Sequence, residues 1–355
     1  MKLYDSKLYM EDIKRTAEYP AGWDKLSGKS VVISGGTGMI GSFLVDTIMY
    51  RNANYNQNTD IYVIGRSEAK ISTRFAPYIG NKLFHAVCWD INAPADDTVW
   101  SDIDISYMIH AASNTHPVAY ASDPIGTISA NVIGTNNMLA LAAKKNCEKF
   151  VFLSSVEIYG ENRGDVDAFS EDYLGYIDCN TLRAGYPESK RTGEALCRAY
   201  EKQEGLPVII PRLSRVYGPS MLLSDTKALS QFILKGVKRE DIVLKSEGTQ
   251  LFSYSYVADA VTAIVKITID GEQGCAYNIV SKESDVLLRD IAKVIADYAD
   301  KKVVFELPDA VEAAGYSKAT KAVLDTTKLK ALGWTSMYDM TDGLHHTIEI
   351  LREVM

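Results

Sequence analysis

The stretch Val31-Val32-Ile33-Ser34-Gly35-Gly36-Thr37-Gly38-Met39-Ile40-Gly41 decides the fold of this 355-residue chain. A short β-branched run leads straight into glycines spaced three apart, Gly35, Gly38 and Gly41. Ile40, Phe43, Leu44 and Ile48 then form an apolar stripe at helical spacing. In a strand–loop–helix context, glycine permits the tight turn, close backbone approach to a pyrophosphate and close helix–strand packing. The helix start, with Met39 and Ile40 in its first turn, turns unpaired N–H groups toward phosphate charge. Glycine triplets alone are weak signals; this context points to a dinucleotide.

Further β-rich runs follow at Ile61–Ile64, Ala86–Trp89, Tyr107–His110, Phe150–Ser154 and Pro207–Ile210, several separated by helical patterns. Nearly continuous apolar strands alternating with helices imply a parallel sheet covered on both faces, so the expected class is α/β, doubly wound. Residues 28–212 read as a dinucleotide-binding domain, with parts of 250–280 returning to it through the runs Tyr254–Val265 and Ala276–Val280. Residues 213–355 read as mainly a smaller, discontinuous α/β substrate-binding domain, with helical patterns at Val286–Tyr298 and Met340–Arg352. Residues 1–27 read as a polar N-terminal arm carrying a few aromatics.

Composition narrows the partners. Lys and Arg number 38 against 46 Asp and Glu, a net charge of −8, which argues against an extended nucleic-acid footprint or a polybasic membrane surface. No apolar run approaches the ~18 residues needed to span a bilayer. Five scattered cysteines without a C-x-x-C pair suggest neither a disulfide framework nor a zinc site, and the cytoplasm is the expected compartment. Adjacent His345 and His346 point in different directions on a helix and make no metal pair, so no metal is expected.

The acid that commonly grips an adenosine ribose belongs after the second strand, where the chain instead reads Gly65-Arg66-Ser67. A carboxylate there favours NAD, whereas an arginine can pair with a 2′-phosphate or stack on adenine, so Arg66 leaves NADP open beside NAD. Asp90 and Ile91 follow the third strand, where an acid can meet the adenine amino group or simply cap a turn. Downstream, Tyr186-Pro187-Glu188-Ser189-Lys190 sets a phenol and an ammonium one helical turn apart. Ser154-Ser155-Val156-Glu157-Ile158-Tyr159-Gly160 leaves a strand at the carboxyl end of the sheet, where ligands of doubly wound folds bind.

Together with His110-Ala111-Ala112-Ser113, Asn131-Val132-Ile133-Gly134-Thr135, Pro211-Arg212-Leu213-Ser214-Arg215-Val216-Tyr217-Gly218-Pro219 and Leu332-Gly333-Trp334, these motifs resemble the extended short-chain dehydrogenase/reductase family, in particular its nucleotide-sugar epimerases, dehydratases and decarboxylases. The resemblance covers most of residues 28–350 and implies a Rossmann domain binding NAD and a nucleotide-linked sugar. It implies Tyr186 as acid/base, Lys190 on the nicotinamide ribose, Ser155 on the reacting hydroxyl, and Ala111, Ala112 and Asn131 lining the cofactor. Ser113, Thr115, Ser155, Arg215, Tyr217 and Phe252 fall at expected substrate positions, and His116-Pro117 lies near the same cleft. A sugar hydroxyl is oxidised to a ketone by hydride transfer, after which the ketone directs epimerization, elimination or decarboxylation.

Glu157 matches the glutamate of dehydratases and decarboxylases, suited to removing a C5 proton or orienting water. Val156 stands where dTDP-glucose-type dehydratases carry an aspartic acid, which disfavours that variety. Phe252 replaces an arginine of the family pattern, weakening the decarboxylase reading, and Arg215 offers a compensating cation in a position where relatives often carry Asn. A net NADP-dependent reductase and a non-catalytic dinucleotide sensor are the competing expectations. Relatives often pair as homodimers through the helices bearing Asn131 and Tyr186, and Ile133, Met138, Leu139, Leu141, Leu196 and Tyr200 suit such a contact or a monomer core equally.

Overall fold

The computed structural model describes residues 2–115, 122–306 and 319–355. Its strands, in chain order, are β1 (Ser30–Ser34), β2 (Asp60–Gly65), β3 (Phe84–Cys88), β4 (Tyr107–His110), β5 (Lys149–Phe152), β6 (Ser154–Ser155), β7 (Val208–Leu213), β8 (Arg215–Tyr217), β9 (Ile242–Leu244), β10 (Leu251–Tyr256), β11 (Ala276–Ile279), β12 (Asp285–Leu287), β13 (Val303–Phe305) and β14 (Lys321–Ala322). The helices of ten residues or more are α1 (Lys7–Glu18), α2 (Met39–Tyr55), α3 (Thr135–Lys144), α4 (Gly185–Glu204), α5 (Ala228–Lys238), α6 (Val257–Asp270), α7 (Leu288–Ala299) and α8 (Met340–Val354).

Strands run β3-β2-β1-β4-β5-β7-β11 across the main sheet, every pair parallel, and β6 continues the line of β5 against β7. The order reverses between β1 and β4, the switch point at which doubly wound sheets open a crevice beyond their carboxyl ends. Alternation along β1 shows why the strands are apolar throughout. Val31 and Ile33 enter one core with Phe43, Leu44 and Ile48 of α2, while Val32 faces a second core with Met138, Leu139 and Leu141 of α3. Both faces of the sheet are therefore dry, as the near-continuous apolar runs require.

The run Tyr254–Val265 divides into the end of β10 and the first half of α6, and Ala276–Val280 supplies β11, the outer strand of the main sheet. Beyond β7 the chain builds a smaller sheet from β12, β10 and β14, joined by β8 along β10, and a separate β9–β13 pair.

The first 27 residues are tied into the body. Ser6 caps α1 by accepting from the Tyr9 N–H at 3.2 Å. Tyr9 and Ile13 are buried, and the Tyr9 hydroxyl donates to Asp46 of α2 at 2.5 Å. Asp12, also buried, accepts from the hydroxyls of Tyr256 (2.5 Å) and Tyr338 (2.7 Å) and faces His346 Nδ1 at 2.8 Å. One carboxylate thus joins α1 to the end of β10 and to α8. His345 turns away to stack on Tyr298, so the two histidines diverge. Among the described residues no group of His, Cys, Asp and Glu is arranged to hold a metal, and no helix is long and apolar enough to cross a membrane.

Candidate active site

At the end of β1 the backbone turns through Gly35 with φ +67°, a conformation that side chains resist. A Cβ there would lie 2.6 Å from the Ala112 nitrogen, so the exit of β4 at Ala111-Ala112 rests directly against the loop. A Cβ on Gly41 would lie 2.5 Å from the Gly35 carbonyl oxygen. Gly38 begins α2 without a side-chain cap, which leaves the first N–H groups of Met39, Ile40 and Gly41 to an outside acceptor. This cradle, closed to any Cβ yet rich in backbone donors, fits a dinucleotide pyrophosphate.

The other expected cofactor residues lie around the same sheet end. Arg66 is exposed directly after β2, ahead of a short helix capped by Ser67. Asp90 is exposed and its Oδ1 accepts from the Asn92 N–H, a turn-capping role, while Ile91 is buried against Gly134 and its carbonyl accepts from Asn137. Asn131 occupies a π-helical turn, Ala130–Gly134, and is fully buried. Its carboxamide accepts from Ser113 Oγ at 2.7 Å and donates to Ser189 Oγ at 2.9 Å. It thereby fixes the exit of β4 to α4. Beneath the loop, His110 joins Ser34 Oγ (2.6 Å) to Thr135 Oγ1 (3.0 Å), and burial holds its pKa down at about 3, so the ring is neutral.

One face of α4 carries Tyr186 and Lys190, both buried, toward the strand end. Tyr186 hydrogen-bonds Ser155, and Lys190 Nζ donates to the Leu153 carbonyl at 2.9 Å while lying 4.7 Å from the centre of the Phe152 ring. Ser155 Oγ also accepts from the Glu157 N–H at 3.2 Å, starting the short helix Val156–Tyr159. Burial pushes the Tyr186 phenol up to about 12 against the pull of the Ser155 hydrogen bond, and burial lowers the Lys190 ammonium to about 8. The family resemblance also implies that Lys190, once on the nicotinamide ribose, lowers the phenol. In this structure its charge is directed onto a backbone carbonyl and an aromatic face, and desolvation dominates the phenol.

The Glu157 carboxylate faces two cations, Arg215 at 3.3 Å and Arg183 at 3.9 Å. The Arg215 guanidinium lies 3.7 Å over the centre of the Phe252 ring, a close cation–π contact, and its buried Nη1 has no partner among the described residues. Strands β8 and β10 pair in parallel with Arg215 opposite Tyr254, so an arginine on β8 reaches across to the side chain at 252 on β10. Phe252 is therefore a buried platform beneath a cation. Tyr217 is not brought into this group: its ring packs on Tyr256 and Gly343, and its hydroxyl donates to the Met340 carbonyl. Thr115 is exposed at the edge of the described residues, and His116-Pro117 lie outside them.

Sequence reasoning missed Arg183, Glu194 and Arg212. Arg183 stands in a single 3-10 turn, Leu182–Ala184, that no sequence pattern marks. Glu194 continues the spacing of Tyr186 and Lys190 by one more turn, a signal that was present.

Residues 31–280 match the NAD dependent epimerase/dehydratase family. The chain belongs to that family. The family is one of NAD-dependent enzymes, in agreement with NAD, the first of the two cofactors expected. Over 322 residues the chain is 29% identical to UDP-glucuronic acid decarboxylase 1 of Danio rerio, covering 90% of this chain and 72% of the relative. It is 28% identical to UDP-glucuronic acid decarboxylase 5 of Arabidopsis thaliana, covering 90% of this chain and 88% of that one. Among solved structures it resembles the UDP-glucose 4-epimerase of Thermotoga maritima, with a TM-score of 0.77 at 22% identity over 92% of this chain and 99% of that chain. UDP-glucuronic acid 4-epimerase of Bacillus cereus, solved with UDP-glucuronic acid and NAD, superposes with a TM-score of 0.76 at 21% identity over 92% and 100%. This NAD-dependent epimerase/dehydratase family member thus shares the fold of these solved epimerases, in its case a main parallel sheet followed by a smaller one.

Proposed function

We propose that the protein modifies a nucleotide-linked hexose through a transient ketone, with the hydride leaving and returning within one turnover. The observation that carries this reading is the hydrogen bond between half-buried Ser155 and buried Tyr186, with Lys190 one turn on, at the carboxyl end of the sheet beside a pyrophosphate cradle. Gly35, Gly38, Gly41 and the α2 N-terminus would hold the pyrophosphate of NAD, and Lys190 would meet the nicotinamide ribose. Bound NAD supplies the hydride acceptance that converts a hydroxyl-bearing carbon into a carbonyl.

Ser155 orients the reacting hydroxyl, and Tyr186 takes its proton and later gives it back. The phenol at about 12 is a poor base in the empty protein. A cation at its edge is needed to bring it toward working range, the role assigned to Lys190 once its ammonium is drawn from the Leu153 carbonyl toward the ribose. The ketone acidifies the neighbouring C–H bond, and Glu157, anchored through its own N–H to Ser155, is the carboxylate placed to act there. Val156 is buried and carries no proton, so the acid-assisted loss of water that an aspartic acid would serve at that position has no donor.

The relatives named UDP-glucuronic acid decarboxylases favour a UDP-sugar, and Arg215 on Phe252 favours an anionic substituent or the diphosphate beside Glu157. The cationic lining that the sequence lacks at position 252 is supplied from β8. A redox-neutral cycle distinguishes this reading from a net NADP-dependent reductase, which would consume reduced cofactor stoichiometrically, and from a silent sensor, which would not turn over. The test is turnover of UDP-glucose and UDP-glucuronic acid by NAD-loaded wild type and Tyr186→Phe. Loss of the acid/base lowers kcat by about 10²–10⁴-fold; full activity in the variant sinks the proposal.

The pairing surface is proposed to be a homodimer contact through exposed Ile125, Ile128, Ile133 and Leu182, beside the start of α4. Met138, Leu139 and Leu141, which suited a dimer or a core equally, are buried in the second core and do not contribute. Light scattering of Ile125→Asp/Leu182→Asp is expected to give monomer; an unchanged mass places the contact elsewhere.

A further inference from the structure

Three successive residues just beyond β5, Leu153 to Ser155, are each gripped by one turn of α4. The Leu153 carbonyl accepts from Lys190, Ser154 Oγ donates to Glu194 Oε1 at 2.5 Å, and Ser155 pairs with Tyr186. Residues 186, 190 and 194 are spaced by four, so one helix face meets one strand end, and its third member has no assigned role. Glu194 is itself clamped. Arg212 of β7 reaches it bidentately, Nε to Oε1 at 3.0 Å and Nη2 to Oε2 at 2.7 Å, and the same guanidinium donates through Nη1 to Tyr159 Oη (2.9 Å) and to the Glu171 carbonyl (2.6 Å). Both partners of the ion pair are largely buried, with side-chain exposures of 12% and 13%.

A buried carboxylate–guanidinium pair is a costly device for stability alone, since apolar residues of similar volume often serve as well. Its placement gives it another use. Lys190 is buried, and the loss of water favours its neutral form. Tyr186 and Glu194 stand one turn to either side of Lys190 on the same face of the helix, with Arg212 behind Glu194, and Cys197 and His110 are the other titratable groups that act on its charge. His110 is neutral and the Cys197 thiol is pushed far up by burial, so Glu194 is the one nearby anion among them.

We propose that Glu194, held by Arg212 and Ser154 one turn beyond Lys190, is a positioning residue that keeps the Lys190 side chain charged beside the Ser155–Tyr186 pair. The inference rests on the proposed role of Lys190, but it concerns the charge state of that lysine and is readable without turnover. The electrostatics agree in direction, Glu194 being the largest influence that opposes the burial effect on Lys190.

The experiment is nuclear magnetic resonance titration of NAD-loaded protein carrying ¹³C,¹⁵N-lysine, with the Lys190 signal assigned by its loss in Lys190→Met. In Glu194→Gln the Lys190 midpoint falls by about one unit, roughly a tenfold rise in the neutral fraction at a given pH. Glu194→Asp keeps a carboxylate and restores most of the midpoint. Ser154→Ala, which leaves the charge pair intact, does not move it. If Glu194→Gln fails to fold, the double variant Glu194→Gln/Arg212→Met removes both charges, and its Lys190 midpoint falls in the same direction by less. An unchanged Lys190 midpoint in a folded variant lacking the Glu194 carboxylate overturns the proposal, whatever the turnover assay shows.

Discussion

The two sides of Glu157 are built on opposite plans. On the α4 side every polar group that approaches the strand end is matched: Tyr186 with Ser155, Lys190 with Leu153, Glu194 with Ser154 and Arg212, and Asn131 with Ser113 and Ser189. On the β8–β10 side, Arg215 lies over Phe252 with a buried guanidinium nitrogen unpartnered among the described residues, and it shares a partly exposed carboxylate with Arg183. A matched network is rigid and costly to disturb, whereas an orphaned donor awaits a partner. In the function proposed above, the difference teaches that the chemistry is preorganised by the protein, while the specificity side is completed by what binds.

If that contrast is right, disturbing the closed side costs folding energy and disturbing the open side costs affinity. The largest effect is expected at His110, in the network beneath the glycine loop. Its pKa of about 3 when folded lies below the ~6.5 of an unfolded histidine. The folded state binds fewer protons, so its stability is fully present above pH 6.5 and falls as pH drops, by about 1.4 kcal/mol per unit toward pH 3. Chemical denaturation across pH 4–7 should show that slope, and His110→Gln should flatten it; equal slopes in both proteins break the assignment.

Gly35→Ala is next. Positive φ costs a side chain about 1–3 kcal/mol, and the new Cβ would press on the Ala112 backbone. A lowered melting temperature together with NAD affinity reduced at least about tenfold is expected from melting curves and calorimetry, and unaltered NAD affinity would show that the loop is not the cradle. Arg215→Gln, on the open side, should leave the melting temperature nearly unchanged and raise the KM for UDP-glucuronic acid by about tenfold, the worth of one charged hydrogen bond. A strong loss of stability with unchanged KM would make Arg215 part of the closed side.

The same contrast governs what the sequence disclosed. The glycine loop, the apolar strands and the Tyr186–Lys190 spacing are local, and local patterns dictate both the parallel sheet and the face of α4. Arg215 and Phe252 were visible as departures, but their stacking follows from the pairing of β8 with β10, which no local pattern encodes. The first 27 residues looked like a polar arm because the acid that anchors them, Asp12, is polar. Its partners Tyr256, Tyr338 and His346 lie more than two hundred residues away, where only the folded chain reunites them. Tyr217 looked like a ligand contact by position and is a core residue because the start of α8 covers it.

The central claim is that one hydride leaves and returns during each turnover. It is tested most directly by incubating the NAD-loaded protein with UDP-glucose and UDP-glucuronic acid deuterated at sugar C4 and reading the product by mass spectrometry. The account predicts that the product of the accepted sugar retains deuterium, with no net accumulation of reduced cofactor. Loss of the label to solvent, reduced cofactor formed in proportion to product, or no reaction with either sugar would contradict it.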